Sequence, residues 1–310
     1  PHKQESIVNR HLILTAAALL LASGAALAES LPLQSVNKAN AIIDAAIEAH
    51  GGAAALDALR TVVQKQDFVT WATGQSRRPG PPWDRAEVSN FNAIDLENEI
   101  FVNHNAGEGG GFVSDQGVII NGENSWQLNH FSGTAAPMAE PDYATQSGPF
   151  IRVTAPLLIR QLQARRQAAH WLGEAEVDGR LHDIVTLVME TGPGLALYFD
   201  RQSHLLTRME RALPPFGQVE YQFLDYATLS GVPFNQSLRL FVNGEPNLEI
   251  DVLETQVNQP LDAWLEIPAA LERVGEVRPD EFASQEIDEG VFLIGGNGTY
   301  SLFVEMADHV

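Results

Sequence analysis

Hydrophobic and polar positions change their spacing along the chain. Between Ser35 and Arg60 apolar residues recur at helical spacing, which predicts a helix, and the Gly51-Gly52 pair predicts its end before a second short helix. From Thr61 onward apolar and polar residues alternate, which predicts strands. The apolar positions of the helix are Ala39, Ile42, Ile43, Ala46 and Ile47.

The alternating region predicts about ten short strands between Thr61 and about Pro268. Its clearest hairpin turns at Asn243-Gly244, with alternating apolar residues on both sides, and another is predicted near Asn121-Gly122. One helix, in "TAPLLIRQLQARRQAAHWL", interrupts the strands. The expected fold class is α+β, with one strongly curved antiparallel sheet and a few helices.

The first 28 residues have the pattern of an export signal. Arg10 supplies a positive charge, and Leu12 to Leu21 form an apolar run too short to cross a bilayer. Cleavage is expected between Ala28 and Glu29, and residues 1–7 are expected to precede a start at Val8. No cysteine follows the apolar run, so no lipid anchor is expected there. The pattern predicts a periplasmic or secreted bacterial protein.

Composition restricts the partners. The net charge of −21 disfavours nucleic acid and anionic lipid headgroups. The absence of cysteine excludes disulfides and thiolate metal sites. No later apolar run is long enough for a membrane helix, so no stable membrane insertion is expected after signal removal.

Motifs of catalysis are mostly absent. The sequence has no His-x-His pair, no His-Glu-x-x-His, no Gly-x-Ser-x-Gly and no Walker loop. His104, near Glu108, is a candidate for a metal or phosphate role, but a solvated histidine is the favoured interpretation. Asp200, Arg201 and His204 lie close together without a serine nucleophile, which favours a turn in which Asp200 accepts hydrogen bonds from backbone amides.

Aromatic residues in the sheet have two interpretations. They can pack the core, or they can line an apolar cavity in a half-closed sheet. The candidate cavity residues are Trp71, Trp126, Tyr198, Tyr221 and Phe223. The loop "GQSRRPGPPWD" gathers Arg77, Arg78 and Trp83 in an acidic chain, and is either an ordinary hairpin loop or a contact for a ligand or partner.

Residues from about Val36 to Pro268 resemble the LolA/LolB-like fold of periplasmic carriers of lipoprotein lipid tails. The resemblance lies in the order of elements, with a strand ending in Asp followed by a turn, the "LLTRMER" strand and the "YQFLDYATLSGVP" block. The matching residues are Asp200, Leu205, Leu206, Arg208, Glu210, Tyr221, Phe223, Asp225, Tyr226, Gly231 and Pro233. It implies that residues 29–268 form an open β half-barrel with an apolar interior covered by helices, and that a lipid-like or other small ligand is possible.

The final stretch, "GVFLIGGNGTYSLFVEMADHV", resembles the first hairpin of an αββα metallo-β-lactamase-fold domain. The matching residues are Gly290, Val291, Leu293, Gly295, Gly296, Asn297, Ser301, Phe303 and Val304. The resemblance implies a linker over 269–286 and a truncated domain over 287–310. The metal ligands of that family lie further downstream, so no catalytic, cofactor or metal residue is assigned, and zinc is expected only in a full-length parent.

Two resemblances lead to competing hypotheses about function. The leading one is the non-catalytic N-terminal region of a periplasmic metal-dependent hydrolase. The alternative is a periplasmic protein that binds lipid, lipoprotein or another apolar ligand. A docking or dimerisation module is a third possibility for the β-rich region.

Overall fold

The computed structural model describes residues 29–73, 76–109, 112–189, 194–215, 217–275, 283–296 and 299–306. The export signal predicted for residues 1–28 lies outside these ranges, as do Ala28 of the predicted cleavage site, Asn297 and His309; Glu29 is the first residue described. Among the helices of the described ranges, none is both long and apolar enough to cross a membrane.

The described residues include four α-helices. They are α1 (Leu31–Ala49), α2 (Ala53–Asp57), α3 (Tyr143–Val153) and α4 (Ala155–Ala164). Helix α1 begins before the predicted start at Ser35, because Pro32 in its first turn needs no intrahelical donor. It ends where predicted, since Gly51 and Gly52 adopt φ values of +100° and +85°, which a glycine reaches without strain.

Strands make up more than half of the residues that the structure describes. The strands are β1 (Thr61–Trp71), β2 (Arg85–Asp95), β3 (Ile100–Gly109), β4 (Phe112–Ile120), β5 (Trp126–Asn129), β6 (Thr134–Pro137), β7 (Trp171–Val177), β8 (Arg180–Val188), β9 (Gly194–Asp200), β10 (Leu206–Leu213), β11 (Gly217–Leu229), β12 (Val232–Val242), β13 (Glu245–Val257), β14 (Glu272–Arg273), β15 (Ala283–Asp288), β16 (Val291–Gly296) and β17 (Thr299–Val304). Strands β1 to β14 form one large curved sheet, so the predicted curved sheet with a few helices is confirmed, in a chain that is mostly β.

Two antiparallel meanders build the large sheet. Strands β1 to β6 follow one another across one half, strands β7 to β13 follow one another across the other, and the pairing of β1 with β13 joins them. The short β14 pairs parallel with β6 at one edge. The predicted hairpin between β12 and β13 is confirmed, and Asn243 and Gly244 both have positive φ, as its tight turn requires.

The large sheet packs on both faces. On the inner face, residues of α1, α3 and α4 such as Ile43, Phe150 and Leu158 form the main core with the strands. On the outer face of β1 to β6, a second core includes Leu261 and Leu271 from the segment after β13. The first part of the stretch predicted as a linker, 269–286, therefore packs against the sheet.

The helical interruption differs from its prediction. One helix was expected over 154–172, whereas the structure has α3 and α4 on either side of Thr154. Helix α3 was missed because Gly148 and Pro149 are typical of turns. Its N-terminus is capped by Asp142, whose Oδ1 accepts a hydrogen bond from the Thr145 amide at 3.0 Å.

The C-terminal strands form a separate small sheet. The predicted hairpin corresponds to β16 and β17, but β15 pairs with β16 on its other edge, and β15 begins inside the predicted linker. Phe292 and Phe303 face each other across β16 and β17 with ring centroids 5.9 Å apart. The described part of this segment is a three-stranded antiparallel meander, not an isolated hairpin.

Candidate functional site

A cavity of about 310 Å³ lies between helix α3 and the strands β1 to β4 and β13. Its apolar lining is Phe68, Phe101, Val118, Pro149, Phe150, Val153, Leu248 and Ile250. Its polar lining is Gln66, Asn90, Asn92, Asn103, Asn105 and Gln146. Every polar residue of the lining is a carboxamide, so the cavity has hydrogen-bonding groups without formal charge.

Strand alternation places the carboxamides on one face. Three successive strands each carry two amide residues separated by one position, in "QKQ", "NFN" and "NHN", and residues so spaced point to the same side of a sheet. The register then aligns them in two rows across the strands. One row is Gln66, Asn90 and Asn105, and the other is Gln64, Asn92 and Asn103.

Four asparagines of these rows form a closed ring of hydrogen bonds. Asn92 Nδ2 donates to Asn90 Oδ1, and Asn90 Nδ2 donates to Asn105 Oδ1. Asn105 Nδ2 donates to Asn103 Oδ1 at 2.7 Å, and Asn103 Nδ2 donates to Asn92 Oδ1 at 2.9 Å. Each side chain therefore uses one donor and one acceptor within the ring.

The glutamines connect this ring to β13. Asn92 Nδ2 also donates to Gln66 Oε1 at 3.2 Å, and Gln66 Nε2 donates to Gln64 Oε1 at 2.8 Å. Gln64 Nε2 then reaches Thr255 Oγ1 at 3.2 Å. Buried polar groups are stable only when they are paired, and this chain pairs Gln64 and Gln66, which are 1% and 2% exposed.

Two asparagines of the hydrogen-bonded ring, Asn90 and Asn105, each keep an unused side-chain N–H group. A carboxamide nitrogen has two N–H groups. Among the described residues, Asn90 and Asn105 each have one protein acceptor, which takes one of the two. Both side chains line the cavity, so one N–H of each remains for a bound molecule.

Helix α3 supplies the opposite wall, which is apolar apart from Gln146. Phe150 packs against Phe101 of β3 with ring centroids 6.2 Å apart and an interplanar angle of 32°. The end of the helix is held by Asn235 of β12, which is 3% exposed. Its Nδ2 donates to the Val153 carbonyl at 3.0 Å, and its Oδ1 accepts from the Ala155 amide at 2.9 Å.

The aromatic residues proposed from the sequence lie elsewhere. Tyr221 and Phe223 are buried in the main core, and Trp126 packs against the second core on the outer face, with the Arg273 guanidinium 5.6 Å from its ring. Tyr198 donates its hydroxyl hydrogen bond to Glu210 at 3.0 Å. None of these four residues, nor Trp71 at the end of β1, is among the lining of this cavity.

The carboxamides were missed by the sequence interpretation, which sought charged and nucleophilic groups. The available signal was the repeated amide-x-amide spacing in three consecutive strands. Aromatic content alone does not locate a cavity, because large aromatic side chains are as suited to a packed core as to a cavity.

The turn interpretation of Asp200 is confirmed. Its Oδ1 accepts hydrogen bonds from the amides of Gln202 at 3.0 Å and Ser203 at 2.7 Å. Burial opposes ionisation, but these hydrogen bonds and the nearby Arg180 guanidinium lower the pKa of the Asp200 carboxyl. The carboxylate serves the turn, and no triad forms with His204.

The other candidate positions lie outside the cavity. In the Pro-rich loop, Arg77 forms an ion pair with Asp84 at 2.7 Å, and Trp83 Nε1 donates to Glu245 Oε2 at 3.4 Å. His104 is on the face of β3 opposite to its neighbours Asn103 and Asn105, with Nε2 2.7 Å from Asp115 Oδ1.

No protein-family model matches the chain, and no curated protein matches it. Among solved structures, a putative outer membrane lipoprotein-sorting protein domain from Vibrio parahaemolyticus is 9% identical, with 72% of this chain and 95% of that one covered and a TM-score of 0.47. A DUF1329 family protein from Desulfovibrio piger is 12% identical, with 76% and 99% covered and a TM-score of 0.47. A LolA superfamily protein from Nitrosomonas europaea is 9% identical, with 74% and 97% covered and a TM-score of 0.45. TM-scores below 0.5 do not establish a shared fold, so the inference about function depends on the cavity.

The identification of the chain as the start of a metallo-β-lactamase-fold hydrolase is wrong. The similar solved structures named above are lipoprotein-sorting, DUF1329 and LolA-superfamily proteins, and none of them is a metallo-β-lactamase. The apolar strand, Gly-Gly pair and polar turn of the tail describe any short meander. The matching residues reflected what strands and turns require, and carried no information about a metal-dependent enzyme.

Proposed function

We propose that this protein binds a small amphiphile of the lipid class, with an acyl chain and an uncharged polar group, in the cavity between α3 and the sheet. The observation that carries the proposal is the combination of apolar side chains from α3 and the sheet with a cluster of carboxamides without charge. Its volume of about 310 Å³ lies at the lower end of the range typical of small-molecule sites.

The apolar wall suits a hydrocarbon chain. Phe68, Phe101, Phe150, Leu248 and Ile250 present rings and branched side chains from both the sheet and α3. Each methylene transferred from water to such a surface contributes about 0.8 kcal/mol, so even a short acyl segment is bound with useful affinity.

The carboxamides suit a neutral head. The free N–H groups of Asn90 and Asn105 can donate to an ester, amide or hydroxyl oxygen. A carboxylate or phosphate placed beside them would lose its hydration with no cation among the lining residues to replace it. We therefore expect a monoacylglycerol to bind better than the corresponding fatty acid. Because the first 28 residues have the pattern of an export signal, we place this activity in the periplasm or outside the cell.

Titration of the delipidated protein with a fluorescent monoacylglycerol tests the proposal. We expect saturable binding at one molecule per chain. Asn105→Asp puts a carboxylate in the cavity and should weaken binding by about tenfold or more, which corresponds to about 1.4 kcal/mol. Asn124→Asp, the same substitution in an exposed turn, is the matched control and should bind like the wild type.

Two outcomes would contradict the proposal. Absence of saturable binding by the wild-type protein would exclude a lipid site, and equal binding by Asn105→Asp would place the ligand away from the carboxamides. Competition with unlabelled monoacylglycerol and fatty acid addresses the head group separately. Stronger competition by the fatty acid would show that the argument from the uncharged lining is wrong.

A further inference from the structure

Three potential metal ligands meet on the outer face of the sheet. His104 lies on β3, Asp115 on β4 and His130 directly after β5. Their ligand atoms all lie within 4.8 Å of one another. The cluster is on the opposite face from the carboxamides, since His104 stands between Asn103 and Asn105 in β3 and adjacent strand residues point to opposite sides. It is therefore independent of the proposed lipid site.

The register of the sheet brings these side chains together. Ala106 is paired with Asp115, so His104 lies diagonal to that carboxylate on the neighbouring strand. On the other side of β4, the His130 amide donates to the Asp115 carbonyl at 2.9 Å, which sets His130 directly opposite Asp115. The backbone hydrogen bonds of the sheet thus fix all three Cα positions before any ion binds.

The three side chains lie close together. His104 Nε2 is 2.7 Å from Asp115 Oδ1, and the rings of His104 and His130 have centroids 4.5 Å apart with an interplanar angle of 37°. The position opposite His104 on β4 is Gly117, which has no side chain to separate the two rings. The His104 and Asp115 side chains are 39% and 42% exposed, so an ion from solvent can reach them.

We propose that His104, Asp115 and His130 bind one divalent transition-metal ion of the zinc type. Two imidazoles and a carboxylate are ligands that zinc and its neighbours accept at about 2.0–2.2 Å, and the three ligand atoms already lie within 4.8 Å of one another. Calcium and magnesium are disfavoured because they prefer oxygen ligands. Three protein ligands leave at least one coordination position for water, and the net charge of −21 attracts cations to the surface.

A hydrogen-bonded surface pair is the competing interpretation. His104 and Asp115 can simply share a proton, and His130 can stack on the first ring without taking part in binding. This interpretation predicts no saturable metal binding above that of scattered acidic residues. The two interpretations therefore differ in stoichiometry and in the effect of removing His130.

Isothermal titration calorimetry of the untagged full chain with Zn²⁺ distinguishes the metal site from the hydrogen-bonded pair. We expect one high-affinity ion per chain, weakened more than about tenfold in both His104→Ala and His130→Ala, as befits loss of a ligand. His170→Ala is the matched control, because His170 is exposed and lies outside the cluster. Circular dichroism of the metal-free variants checks that they fold.

A second readout is the visible spectrum with Co²⁺. Bound cobalt should give d–d absorption bands in the wild type and in His170→Ala that are absent from His130→Ala. If zinc binds at several equivalent weak sites, or equally to His130→Ala and wild type, or not at all, the proposal is overturned. Loss of binding in His104→Ala but not in His130→Ala would exclude His130 as a ligand and contradict the three-ligand site.

Discussion

Substitution of Asn235 tests which interaction fixes the C-terminal end of helix α3, one wall of the cavity, in place. This buried side chain on β12 forms hydrogen bonds with the Val153 carbonyl and the Ala155 amide, where α3 ends and α4 begins. Ala155 is fully buried, so its amide has no access to water if Asn235 is removed. The change proposed is Asn235→Ala.

The magnitude follows from the groups left without partners. A buried donor or acceptor that loses its only partner costs about 1–3 kcal/mol, and here one donor and one acceptor are affected. We expect the free energy of unfolding to fall by about 2–4 kcal/mol, less than the maximal sum because Val153 is only half-buried. Since α3 carries Pro149, Phe150 and Val153 of the lining, lipid binding should weaken as well.

Urea unfolding followed by circular dichroism measures the effect. Asn235→Ala should lower the urea midpoint without changing the slope of the transition, and Asn124→Ala, in an exposed turn, should leave both unchanged. Ordinary surface substitutions change the free energy of unfolding by less than about 0.5 kcal/mol. A decrease within that range would refute the idea that Asn235 stabilises the junction between α3 and α4.

Two further predictions concern the two residues that follow helix α1. Burial lowers the pKa of His50 from 6.5 to about 4, despite its hydrogen bond to the Ala46 carbonyl. The unfolded chain therefore takes up a proton before the folded protein does, and the free energy of unfolding should fall by about 3 kcal/mol as the pH falls from 6.5 to 4. His50→Gln should remove that part of the pH dependence in urea titrations, and an unchanged slope would show that other groups cause it. Gly51→Ala would place a Cβ 2.4 Å from the Gly231 carbonyl oxygen, at a residue whose φ is +100°. The free energy of unfolding, measured by thermal unfolding, should therefore fall by more than about 1 kcal/mol. Gly80→Ala, with open space around it, should cost little, and equal effects at the two glycines would contradict the close approach.

The sequence predicted local structure well where local physics decides it. The C-terminal end of α1 and the β12–β13 hairpin depend on Gly51-Gly52 and on Asn243-Gly244, whose backbone conformations few other residues adopt. It failed at α3, where Gly148 and Pro149 lower helix propensity but tertiary contacts around Phe150 stabilise the helix. Propensity is a weak guide whenever packing contributes more than the backbone preference.

The tail shows a different kind of failure. The hairpin of β16 and β17 was predicted and β15 was not, and the resemblance to an enzyme domain was wrong. Alternating apolar residues and a Gly-Asn-Gly turn are what any short antiparallel ribbon needs. Such a pattern identifies the ribbon and cannot identify the chemistry of a domain.

The candidate sites depended on information that the sequence holds only in part. Alternation along β3 already determined that Asn103 and Asn105 share one face and that His104 takes the other. Only the tertiary structure decided which strands lie side by side, and therefore that Asn90 meets Asn105 and that His104 meets Asp115 and His130. The physical reason is that spacing within a strand is set by its own backbone, whereas register between strands is set by turns and by core packing across the whole sheet.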